Sequence, residues 1–175
     1  MEEQQRIPAD AAYAVPDDPL LMHVAASDLP LTEKMTLIRR HYRQRLLRVH
    51  AHSVLGPVPV FSTLEATSVL AEQVLRAAYL AAVRETARAL PRPSGELIIV
   101  ALGRLGIREF DIASDADLGF LYRGGDPEAM LFWTRGAERI IELVWAYTGE
   151  GTIFAVDSRL RPRGTGSYAE TMSSL

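Results

Sequence analysis

Asp115-Ala116-Asp117 sets two carboxylates two residues apart at the entrance of an apolar run. Side chains of an extended strand alternate with a period of two, so both carboxylates face the same side. Such convergence is unfavourable unless a cation or solvent relieves the repulsion, and a hard, oxygen-seeking ion such as Mg2+ is the usual remedy. Asp157, in a later predicted strand and on one face with Ile153 and Ala155, offers a third oxygen ligand. Three carboxylates suit two ions about 3.5 to 4 Å apart, one activating an attacking oxygen and the other neutralising a triphosphate and its leaving group. That is phosphoryl or nucleotidyl transfer chemistry. Upstream, Gly103-Arg104-Leu105-Gly106 follows a predicted strand and opens a short helix, where backbone amides can point at phosphate oxygens and Arg104 adds charge.

Each feature also has a plainer reading. An Asp-x-Asp at a strand end is often a solvated loop or cap. Gly-Arg-Leu-Gly lacks the full glycine fingerprint of the dinucleotide and P-loop motifs, and alone it reads as a tight turn. Asp157, beside Arg159 and Arg161, also suits a structural ion pair. The order of all three along the chain favours the chemical reading.

The elements that must position these residues divide the chain into three parts. Residues 1–30, with Pro8, Pro16, Pro19 and Pro30 and no sustained periodicity, read as a disordered leader or linker. Residues 31–92 read as a helical lead-in. Met35, Ile38, Tyr42, Leu46, Leu47 and Val54 recur at helical spacing over 32–54, and a second helix is predicted from a capping box at Ser62-Thr63-Leu64-Glu65 to the stop at Pro91. Residues 93–175 read as the core. Leu97 to Leu102 is apolar and β-branched enough for a strand buried on both faces, and Ala116 to Tyr122 is a second strand. A helix from Glu128 to Tyr147, closed by Thr148-Gly149, leads to a third strand from Ile153 to Leu160. The fold class is therefore α+β, a small sheet flanked by helices and preceded by a helical lead-in.

Composition narrows the function. With 48% hydrophobic and 23% charged residues, the 175-residue chain holds enough apolar material for one compact domain. A net charge of -3 supplies no global field for nucleic acid. The absence of cysteine excludes disulfides, thiolate catalysis and Cys-ligated zinc, and is compatible with the cytoplasm. The acidic, polar N-terminus is unlike an export signal, and no apolar run approaches the ~20 residues a membrane crossing requires.

At this point the residues resemble the glutamine synthetase adenylyltransferase family, within the DNA polymerase beta-like nucleotidyltransferase superfamily. Gly103-Arg104-Leu105-Gly106, Arg108-Glu109-Phe110 and Ala113-Ser114-Asp115-Ala116-Asp117-Leu118 are similar to its Gly-Lys-Leu-Gly, Arg-Glu-Leu and Ser-Asp-x-Asp-Leu blocks. Phe132 to Leu143 resembles its helix bearing Arg and Gln or Glu before an aliphatic pair. Val156-Asp157-Ser158-Arg159-Leu160-Arg161-Pro162 resembles its Val-Asp-x-Arg-Leu-Arg-Pro segment, the most specific match. Arg39 to Leu55 and Leu64 to Leu90 look like its helical lead-in.

The resemblance implies transfer of AMP from ATP to a tyrosine of glutamine synthetase, or phosphorolytic removal of that AMP. It implies that Asp115, Asp117 and Asp157 bind two Mg2+ ions, with Asp157 helping to activate the tyrosine oxygen, and that Gly103, Arg104 and Ser114 hold phosphate. Arg159 and Arg161 would contact phosphate, or instead pin Glu109 or the acidic cluster. Glutamine synthetase is the implied protein substrate, and a nitrogen-signalling regulatory protein is a further implied partner. Two departures stand out. Arg104 replaces the family's lysine, and family members continue beyond the position of Leu175 into another helical region. These motivate a second expectation, a catalytically silent nucleotide-binding or regulatory fragment.

Overall fold

The computed structural model describes residues 15–122 and 126–158 and the backbone of 170–171. It opens with helix α1, Pro19–Ala26, inside the stretch expected to be a leader. The physical reason is local. Asp18 accepts hydrogen bonds from the amides of Leu20 and Leu21 at 3.0 and 3.1 Å, Pro19 fits the first helical position, and Leu21, Val24 and Ala25 are buried. Buried Lys34 donates to Ala25 O at 2.9 Å and so closes the other end.

Helix α2, Leu31–Leu55, covers the expected 32–54, but its apolar stripe is used unevenly. Met35, Ile38 and Tyr42 are buried, whereas Leu47 and Val54 are 70% and 82% exposed. Helix α3, Val60–Thr86, starts before the expected capping box. Ser62 and Thr63 already lie within it, Pro59 occupies the cap position, and no side chain caps that end. It stops at Thr86 and not at Pro91. The alanines at 71, 77, 78, 81 and 82 are buried against α1, α2 and helix α5, Pro127–Trp145.

Helix α5 begins at Asp126, which accepts from the amides of Glu128 and Ala129, and buries Phe132, Trp133, Ile140, Leu143 and Val144. Its end differs from the expected glycine stop. Thr152 donates to Val144 O and Trp145 O, Ile153 N donates to Val144 O, and Arg39 of α2 donates to Ala146 O at 2.7 Å. These donors satisfy the terminal carbonyls, so Gly149 need not adopt a left-handed conformation.

The sheet is built around strand β2, Ala116–Tyr122. Strand β1, Leu97–Ala101, pairs antiparallel with it, Leu97 opposite Tyr122 and Ala101 opposite Leu118. Strand β3, Val156–Asp157, and strand β4, Glu170–Thr171, pair with β2 in parallel. β1 is not buried on both faces as its composition suggests, since Ile98 is 39% exposed. Antiparallel pairing lets one face meet water, a freedom the apolar run alone conceals. β3 is shorter than the expected strand, and Ile153 and Phe154 pack into the core ahead of it. On β2 the even-numbered residues are buried and the odd-numbered ones more open, which fixes the face to which Asp117 belongs. Among the described residues no helix is long and apolar enough to cross a membrane.

Asp18 ties the first two helices together. It is 5% exposed and accepts from His41 at 2.8 Å and Arg45 at 3.0 Å in addition to the two cap amides. Burial alone would raise its carboxyl, but the bonds from His41, Leu21 and Leu20 and the attraction of His41 outweigh burial and hold it below its ordinary value. Replacing Asp18 by Ala is expected to cost about 2 to 3 kcal/mol in urea unfolding at about pH 7. Because the folded value lies below the unfolded one, this contribution is complete above the ordinary carboxylate range and is lost as pH falls through the folded value. The gap between wild type and variant should therefore narrow as unfolding is repeated down to about pH 3.

Candidate functional site

β1 delivers the chain to a turn that β2 closes from beside it. Leu102 N donates to Asp117 O at 2.9 Å, extending the β1–β2 pairing one step beyond the strand. Helix α4, Gly103–Gly106, follows at once. Its first i to i−4 bond runs from Gly106 N to Leu102 O, so the amides of Gly103, Arg104 and Leu105 precede the intrahelical ladder.

Both glycines are required by geometry. Gly103 has φ of +52°, and a Cβ there would lie 2.2 Å from Asp117 Oδ2. A Cβ on Gly106 would lie 2.7 Å from Ala101 O. The turn is thus pressed against the Asp117 carboxylate on one side and against the end of β1 on the other. Leu105 and Phe110, both buried, hold it down, and Phe110 meets Phe154 edge-on at 5.2 Å. Phe110 N also donates to Ser68 Oγ of α3 at 3.1 Å.

Asp117 of β2 stands in direct register with Asp157 of β3. Register partners on neighbouring strands lie about 4.8 Å apart and project to the same face. The two carboxylates expected to act together are therefore brought together on the more open face of the sheet. Asp115 lies just before β2 and is exposed, at the mouth of the same face by the period of two. Among the described residues no group of three or more His, Cys, Asp or Glu side chains is arranged to hold a metal ion. The expected three-carboxylate cluster is thus not gathered, because Asp115 sits outside the strand that aligns the other two. The donor set that is aligned still suits Mg2+, which commonly takes one or two protein carboxylates and completes its shell with water and substrate phosphate.

Arg104 and Ser114 also meet. Arg104 Nη1 donates to Ser114 Oγ at 3.2 Å and to Asp111 Oδ2. Asp111 was not among the expected site residues. Its Oδ1 accepts from Ala113 N at 2.8 Å, the local bond by which an aspartate closes a turn on its own backbone. An aspartate three residues before a serine, ahead of the Asp-x-Asp, was the signal available in the sequence. The hydrogen bond from Ala113 first, and then Ser114 and Arg104, hold its carboxyl below the ordinary value despite some burial. Arg108, with φ of +61°, lies 3.4 Å from Glu72 of α3, whose carboxyl is raised by burial against the pull of Arg108 and Arg76. Arg159 and Arg161 lie outside the described residues.

This arrangement joins a glycine turn, a register pair of aspartates and a preceding Ser-Asp, in the order of the nucleotidyltransferase resemblance. The family model for glutamate-ammonia ligase adenylyltransferase matches residues 2–175. The chain belongs to that family. Among curated adenylyltransferase relatives, the bifunctional glutamine synthetase adenylyltransferase/adenylyl-removing enzyme of Caulobacter vibrioides is 33% identical over 140 residues, 75% of this chain and 14% of that protein. The enzyme of the same name from Neisseria meningitidis is 32% identical over 135 residues, 77% of this chain and 15% of its own length. That of Chromobacterium violaceum is 31% identical over 161 residues, 87% of this chain and 18% of its own length. The chain therefore spans less than a fifth of the adenylyltransferase relatives it matches.

The glycine geometry orders three substitutions by stability. Gly106→Ala meets backbone that cannot move aside and should cost about 2 to 3 kcal/mol. Gly103→Ala meets the movable end of a side chain but keeps an unfavourable φ, and should cost about 1 to 2 kcal/mol. Gly149→Ala meets nothing within 4 Å and should stay within about 0.5 kcal/mol of wild type. Chemical denaturation of the three variants checks the order.

Proposed function

We propose that this chain carries the Mg2+-dependent catalytic core of a nucleotidyltransferase that moves AMP from ATP to a tyrosine of glutamine synthetase, or removes it by phosphorolysis. The observation that carries this reading is the register pairing of Asp117 with Asp157 beside the Gly103 turn, in a chain of the adenylyltransferase family. Residues 93–175 form the core in this reading and 31–92 the helical lead-in. The setting is the cytoplasm, and the consequence is control of nitrogen assimilation. A nitrogen-signalling protein is the regulatory partner we infer.

Asp117 and Asp157 would hold the magnesium from their register positions, and Asp115, at the mouth of the same face, would turn in to join them. Bound there, the metal supplies charge neutralisation of the triphosphate and polarisation of the phosphorus under attack. The amides of Gly103 and Arg104, the Arg104 guanidinium and the Ser114 hydroxyl hold the β- and γ-phosphates, with Arg159 and Arg161 assigned to the same anion. The tyrosine hydroxyl oxygen attacks the α-phosphorus, Asp157 favours loss of its proton, and the bond to the pyrophosphate oxygen breaks. In the reverse sense, an oxygen of inorganic phosphate attacks the same phosphorus, giving ADP and the free tyrosine. Both directions draw on the same residues.

Calorimetric titration of ATP with Mg2+ tests the reading. The wild type is expected to bind, and the Asp115→Asn, Asp117→Asn double variant to lose binding at least ~100-fold while keeping its melting temperature. Transfer of labelled AMP to glutamine synthetase should fall to background in the same variant. Binding without any transfer by wild type would favour the silent, regulatory reading. Absence of binding by folded wild type would sink both.

A further inference from the structure

The guanidinium of Arg104 depends on a residue that has no part in the reading above. Its Nη1 is shared between Asp111 Oδ2 and Ser114 Oγ. Asp111 is itself fixed on every side. Its Oδ1 accepts from Ala113 N at 2.8 Å, its amide points at Ser114 Oγ at 3.4 Å, and its carbonyl accepts from Ser114 N at 3.3 Å. The carboxylate is clamped by a turn that ends immediately before Asp115.

A guanidinium is a rigid planar fork of five donors, so fixing one nitrogen fixes the direction of the others. With Nη1 engaged, the Nε–Nη2 edge makes no hydrogen bond or ion pair among the described residues, and the side chain is 58% exposed. That edge carries two parallel N–H groups, the arrangement that meets two oxygens of one phosphate. We propose that Asp111 is a positioning residue that grips Arg104 by Nη1 and presents its Nε–Nη2 edge to the nucleotide triphosphate. A lysine could not serve in this way, since an ammonium gripped by Asp111 has no second, oriented edge to offer. Asp111 and Arg104 thus form a unit, and the arginine in place of the resemblance's lysine is the half of it that makes a partner carboxylate useful.

The proposal rests on the nucleotide-binding reading, and a double-mutant cycle separates the two. Binding of ATP with Mg2+, and of inorganic triphosphate with Mg2+, is measured for wild type, Asp111→Asn, Arg104→Ala and the double variant. Asp111→Asn is expected to weaken both ligands roughly 5- to 20-fold in the wild-type background, less than the full worth of a charge-assisted hydrogen bond because the asparagine keeps a neutral acceptor for Arg104. It should change nothing in the Arg104→Ala background. Asp111→Ser, which keeps an acceptor for Ala113 N and removes the charge, repeats the measurement if the asparagine variant melts early. Equal loss in both backgrounds would mean that Asp111 merely supports the loop, and unchanged or tighter binding would mean that it competes with phosphate. Either overturns the proposal while leaving the nucleotide reading intact. No binding by wild type overturns both.

Discussion

A helix can be approached closely from several sides only where its side chains are small, and α3 supplies that condition. Its buried alanines let α1, α2 and α5 draw in around one axis, with Leu70, Val74 and Leu75 filling the spaces between. The same helix reaches the site. Ser68 Oγ donates to Leu64 O within its own helix and accepts from Phe110 N, while Glu72 pairs with Arg108. A single element therefore holds the helical layer together and anchors the loop that runs from the glycine turn to the aspartates. Enlarging a side chain on this helix would displace the helical packing and that loop together.

The turn and the strand beside it illustrate how little room the site allows. Gly103 exists as glycine because Asp117 occupies the space of its Cβ, and Gly106 because Ala101 O does. The backbone that would face phosphate and the carboxylate that would face metal are in van der Waals contact, so neither can be tuned alone. Between the two motifs the chain is held by Arg108 on Glu72, by the Phe110 anchor and by the Asp111 turn.

Much of this was legible in the sequence where periodicity and chemistry agreed. β2 was read at its observed limits because a short apolar run after an Asp-x-Asp has few alternatives, and α2 was placed within a residue at each end. The register of Asp117 with Asp157 was not readable, since pairing between strands far apart in the chain leaves no local trace. What misled was context. Ser62-Thr63-Leu64-Glu65 has the composition of a cap, but Pro59 already starts the helix before it. Leu97 to Leu102 looked doubly buried because the run is apolar, whereas antiparallel pairing of the strand leaves Ile98 partly in water. The helix at Pro19 was hidden by the prolines and aspartates that begin it. Asp111 was passed over because it engages another side chain, Arg104, and its spacing from the Asp-x-Asp pair carries no signal.

The segment between α5 and β3 is held from the far side of the molecule. Arg39, fully buried in α2, reaches Ala146 O, and Arg40 and Arg43 of the same helix clasp Glu150. Seven residues after that clasp the chain places Asp157 opposite Asp117. The segment that leads to Asp157 is thereby held by a helix from the other end of the chain. The helices before residue 92 and the sheet after it are thus braced against each other at both ends of the segment from Ala146 to Glu150, and neither packs without the other.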